Sequence, residues 1–146
     1  MQRRGFEETV RQAVHHDPRY EFDAYLFLRE ALDYTLRSNR KNRPSGHARH
    51  VRGPELLAGF REYALEQFGP MAMVVLETWG VRSCEDVGEM VFNLVDAGAF
   101  GTTPQDSKDD FKGGYDFREA FVKPFQPRGP QSPPPAGGRR ARRKRT

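Results

Sequence analysis

The chain has 146 residues, of which 36% are apolar, 30% charged and 17 aromatic. That is the size of one domain, and it holds too many rings for a chain that stays unfolded throughout. One cysteine, Cys84, excludes an intramolecular disulfide framework and a multi-cysteine zinc site. No apolar run approaches the roughly 18 residues of a membrane span. The stretch around Phe6, with Arg3, Arg4, Glu7 and Glu8, has no signal-peptide apolar core. These features predict a cytoplasmic protein with no membrane partner.

The formal charge of +4 hides a segregation. Residues 1–36 carry a net −2, residues 37–52 a net +6 with no acid, residues 53–125 a net −7, and residues 126–146 a net +7 with no acid. The pattern predicts a neutral-to-acidic body with two cationic arms.

Phe6, Val10, Ala13 and Val14 share one face of a first short helix, which Asp17-Pro18 breaks. Phe22, Tyr25, Leu26, Leu28, Leu32 and Leu36 predict a second helix to about Ser38, and Phe27, Ala31 and Tyr34 widen its stripe to two covered sides. The segment from Asn39 to Gly53 reads as a loop, with His50 to Arg52 as a short edge strand. Gly53-Pro54 then starts a third helix, marked by Leu56, Leu57, Phe60, Ala64 and Phe68. After Gly69-Pro70, the stretch Met71 to Leu76 is apolar all round, which predicts a short central helix closed by Trp79 and Gly80.

Ser83, with Asp86 three residues on, predicts the cap of the next helix. Val87, Met90, Val91, Leu94 and Val95 follow its helical period, and Gly98 ends it. Phe100 to Thr103 and Tyr115 to Phe117 predict a β-hairpin, followed by a last short helix over 116–123. The expected fold is mainly α, about five helices with a small β-hairpin, winged-helix-like in its order. One globular domain spans 1–125. Residues 126–146 read as a disordered Pro-rich spacer (Pro127, Pro130, Pro133, Pro134, Pro135) ending in a basic tail.

The segments FLREALDYT (27–35), GPELLAGFREYALEQFGPMA (53–72), WGVRSCEDVGEMVFNLVDAG (79–98) and DFKGGYDFREAF (110–121) resemble a small conserved family of hypothetical proteins from planctomycetes and verrucomicrobia. The resemblance covers about residues 6–125. It implies one bacterial cytoplasmic domain and brings no catalytic residue or cofactor with it.

The helix–Gly80-Val81–helix order resembles a helix-turn-helix, but the exposed face of its second helix bears Glu85, Asp86, Glu89, Asn93 and Asp96. Four carboxylates there would repel phosphates. The helical hairpin is therefore read as core, and its acidic face as a candidate protein-binding surface through Glu85, Glu89, Asn93 and Asp96. His47 and His50 lie among arginines, which repel a cation, so no metal site is predicted. Cys84 has Glu85 and Asp86 beside it, which raise a thiol pKa. Asp106, Asp109, Asp110 and Asp116 lack the spacing of a calcium loop. No cofactor, small-molecule substrate or catalytic motif is evident.

The strongest signal is basic. Arg37, Arg40, Lys41, Arg43, Arg49 and Arg52 form one group, and Arg139, Arg140, Arg142, Arg143, Lys144 and Arg145 the other. Both predict phosphate contact without base reading, in a nucleic-acid or ribosome setting. The competing explanation is that such runs only confer solubility. The sequence thus predicts a non-enzymatic nucleic-acid-binding module, with a protein–protein adaptor as the alternative.

Overall fold

The computed structural model describes residues 2–42, 51–101 and 106–127. Among these, six α-helices follow one another: α1 (Gln2–His16), α2 (Phe22–Asn42), α3 (Gly53–Phe68), α4 (Ala72–Thr78), α5 (Cys84–Asp96) and α6 (Phe117–Phe121). Short 3₁₀ turns lie at Gly69–Met71, Lys108–Phe111 and Lys123–Phe125. The mainly helical class is as the sequence predicts. No helix among the described residues is long and apolar enough to cross a membrane.

Local chemistry sets the boundaries. The Asp17 N–H closes α1 on the Ala13 carbonyl at 2.8 Å, and Pro18 has no N–H to continue it. Ser83 caps α5, its Oγ accepting the Asp86 N–H at 3.2 Å. The Asp86 carboxylate reaches back to the Arg82 N–H at 2.9 Å rather than to that of Ser83. Gly80 ends the α4 turn at φ 92°, a left-handed conformation.

One core runs from Val10 to Phe121. Its centre is the α2–α3 pair. Thr35 meets Gly59 and Glu30 meets Tyr63, so the two helices run antiparallel. Phe27 gathers the rings of Phe60, Tyr63, Phe68 and Trp79 around it, with centroids 5.2–5.6 Å away. α5 lays Val87, Met90 and Leu94 against this pair, all three fully buried.

Several expectations are corrected. The β-hairpin is not formed: the described residues contain no strand, and Thr102 and Thr103 lie outside them. Tyr115 and Phe117 turn inward together, their rings stacked at 5.9 Å, and the Tyr115 N–H points at Cys84 Sγ instead of a partner strand. Without the hairpin the winged-helix order loses its wing. Val51 and Arg52 form no edge strand but lead into α3, where the Arg52 N–H donates to the Glu55 carboxylate at 3.0 Å. α2 runs past Ser38 to Asn42. α4 is peripheral, not central: Ala72 and Leu76 are buried, while Met71 is 55% and Val74 53% exposed. The last helix ends at Phe121.

Candidate functional site

The basic segment sits at one end of the α2–α3 hairpin. Arg37, Arg40 and Lys41 belong to the last turns of α2, not to a loop, and Arg52 is the residue before α3. Arg37 is exposed and stands near Tyr34 and Tyr63, where it counters the upward push that burial and Glu62 or Glu30 give those phenols. Arg52 is exposed. Arg43, Arg49, His47 and His50 lie outside the described residues. So do Arg139, Arg140, Arg142, Arg143, Lys144 and Arg145, with the rest of the spacer and tail from residue 128.

The polar face of α5 is mostly occupied from within the chain. Asn93 donates to Asp17 at 2.9 Å and to the Tyr25 hydroxyl at 3.0 Å. Arg19 grips the same Asp17 carboxylate with two parallel bonds of 2.8 and 2.7 Å. These bonds hold the Asp17 carboxyl well below the usual carboxylate range. The Tyr20 hydroxyl donates to Asp86, and burial and that bond push the phenol well above its ordinary value. Glu89 lies 3.4 Å from Arg19 and 3.1 Å from Lys108. Glu85 accepts the Gly113 N–H at 3.4 Å. Asp96 is exposed at the far end of α5.

This polar clasp ties the α1–α2 turn to α5. Sequence reasoning placed Glu89 and Asn93 on a free face and did not foresee the clasp. The paired signal of Asp17-Pro18-Arg19-Tyr20 was present, but nothing local says which helix it meets.

Comparison with known proteins gives no relative. No family model, no curated protein and no solved structure matches this chain. What the site does must therefore be read from its own geometry.

A cavity of about 460 Å³ opens between α2, α3, α5 and the 108–111 turn. Its walls are apolar: Leu32 and Leu36 from α2, Val51 and Leu56 at the start of α3, Val91, Phe92 and Val95 from α5, then Phe100 and Phe111. Asp106 and Asp110 are its acidic members. No local pattern announces it: Leu32, Leu36, Leu56, Val91 and Val95 read as ordinary helix stripes, Val51 as an edge strand and Phe100 as part of a hairpin.

The remaining candidates have structural duties. Cys84 is buried, its Sγ 3.4 Å from both the N–H and the carbonyl of Tyr115. Burial, ahead of Glu85, raises its pKa, which makes the thiol a poor nucleophile. Asp110 accepts the Ser107 N–H at 3.2 Å, and Asp116 caps α6 through the Glu119 N–H at 3.2 Å. Asp109 pairs with Lys112 at 3.1 Å. These aspartates are caps and surface partners rather than cation ligands. No cluster of metal-ligating side chains occurs among the described residues.

Proposed function

We propose that this protein is a non-enzymatic binding module that contacts nucleic acid, RNA or DNA, through its two basic segments, in a ribosome or nucleoid setting. One observation carries the reading. Residues 37–52 hold six basic side chains and no acid, and both ends of that segment emerge at the same end of the α2–α3 hairpin. The six positive charges are thus tethered at both ends to one end of the hairpin, while Glu89 on α5 is countered by Arg19 and Lys108. The tail adds a further net +7 over residues 126–146. The adaptor alternative through Glu85, Glu89, Asn93 and Asp96 draws less support, since the first three are already engaged within the chain.

The test is a salt titration of binding to a short duplex and to a structured RNA. Each phosphate neutralised on duplex DNA contributes about −0.9 to the slope of log affinity against log salt. Replacing Arg40, Lys41 and Arg43 with glutamine should flatten the slope, and removing residues 139–145 should flatten it by several units more. Absence of binding to either polymer at about 50 mM salt, where counterion release favours association, overturns the reading.

A further inference from the structure

We propose that the uncharged outer face of α4 is the contact through which a second copy of this chain binds, as a two-fold dimer. The inference goes beyond the nucleic-acid reading and does not depend on it. Three observations carry it.

The first is where the exposed apolar side chains lie. Among the described residues, the large apolar side chains left exposed are Met71, Val74 and Phe125, the last at 45%. Met71 and Val74 stand three residues apart at the start of α4, on the side opposite its buried Ala72 and Leu76. α4 packs on α6, and α6 runs directly into the turn that holds Phe125. Single apolar side chains scattered over a surface are ordinary. Their gathering on adjoining elements is what an interaction surface shows.

The second is the absence of charge. Residues 67–76 contain no charged side chain. The one charged residue of α4, Glu77, comes in its last turn, whereas each of the other five α-helices presents exposed acids or bases. Interface centres are depleted of charge and enriched in methionine and aromatic rings, and methionine adapts its shape to what it meets. A membrane surface fits poorly, since α4 has seven residues and no Lys or Arg to meet anionic lipid.

The third is the pair of charges at the edge. Glu77 on α4 and Arg118 on α6 are both exposed, and neither side chain has a partner among the described residues. In a two-fold contact the same patch meets itself, so that residue i meets j and j meets i. An uncharged centre meets its copy without repulsion. An axis running between Glu77 and Arg118 brings each Glu77 toward the partner's Arg118, which makes two opposite-charge pairs from one unengaged acid and one unengaged base. Unlike charges flanking a neutral centre single out a second copy over an unrelated protein.

The experiment is sedimentation velocity of the nuclease-treated full chain over a micromolar to submillimolar series. A concentration-dependent shift to twice the 16.8 kDa of one chain is expected. Val74→Glu sets like charges against each other at the centre and should weaken association at least roughly thirtyfold, the scale of one central interface residue. Val74 is exposed, so the fold should survive, which circular dichroism checks; should it not survive, Met71→Asp takes its place. Glu77→Arg and Arg118→Glu should each weaken the dimer several-fold, and together restore it. Monomer at every concentration overturns the proposal. So does a dimer that the charge at the centre leaves intact, or growth beyond two copies, which a closed two-fold contact forbids. Charge reversals that fail to rescue each other overturn the two-fold pairing, and with it the choice of a second copy.

Discussion

Gly59 to alanine is expected to destabilise this protein, against the ordinary preference of a helix. In an exposed helix interior the change stabilises by about 0.5–1 kcal/mol, because alanine has less backbone freedom to lose. Here a Cβ on Gly59 would stand 1.8 Å from Thr35 Oγ1 and 2.9 Å from Thr35 Cβ. Thr35 is buried, and its hydroxyl donates to the Ala31 carbonyl at 2.8 Å, so it cannot swing aside without losing that bond. Overpacking costs typically 1–3 kcal/mol, and the 1.8 Å overlap places this site at the upper end. The net loss should be about 2 kcal/mol, or a fall in Tm of roughly 5–10 °C for a domain of this size. Urea unfolding followed by circular dichroism measures it. Thr35→Gly in the same chain removes the obstructing Cβ and should recover most of the packing loss, giving a coupling energy above 1 kcal/mol in a double-mutant cycle. If Gly59→Ala raises stability, or the two changes are additive, α2 and α3 do not approach as closely as described.

Further outcomes follow from the same geometry. Leu94→Ala should cost about 2–5 kcal/mol by urea unfolding, since the side chain is fully buried, whereas Glu89→Ala should cost under about 1 kcal/mol, its partners Arg19 and Lys108 being over half exposed. Asp17 has a folded pKa below its unfolded value of about 3.9, so its stabilisation is complete above that value and is lost as pH falls below it. Asp17→Asn should be less stable at neutral pH and show a shallower acid limb in unfolding midpoints taken between about pH 5 and 2. Cys84 should resist iodoacetamide at pH 8 in the folded chain and react quickly in urea, followed by mass spectrometry; fast labelling of the native protein would contradict its burial. A chain ending at Gln126 should melt within about 2 °C of the whole protein, because the Pro-rich basic composition beyond it offers little to bury.

The parts of the fold legible in the sequence are those set by short-range chemistry. α5 shows its period in Val87, Met90, Val91 and Leu94, its start in Ser83 and its stop in Gly98, and all of these serve as read. The hairpin failed because alternating Tyr115 and Phe117 mimic a strand, whereas the caps at Ser107 and Asp116 break the chain into turns on either side. α4 misled because an all-apolar segment says nothing of how many neighbours surround it; Met71 and Val74 face outward. The site divides the same way. The basic cluster is a matter of composition and was visible. The cavity and the clasp join residues from three or four elements, and no local pattern announces such a meeting.

The clasp also bears on how the chain reaches its native state. Tyr20 to Asp86 and Asn93 to Asp17 bridge 66 and 76 residues of sequence. The α2–α3 pair instead closes over a single connection. Contacts of low sequence separation form first, because long loops must be closed before distant groups reward the closure. The clasp is thus a late event, and substitutions at Asp17, Asn93 or Tyr20 should accelerate unfolding while leaving the refolding rate nearly unchanged. The clasp then shares with the buried Val10 and Ala13 the task of holding α1 to the body, so a chain with a weakened clasp would release its first helix more often than its antiparallel centre gives way.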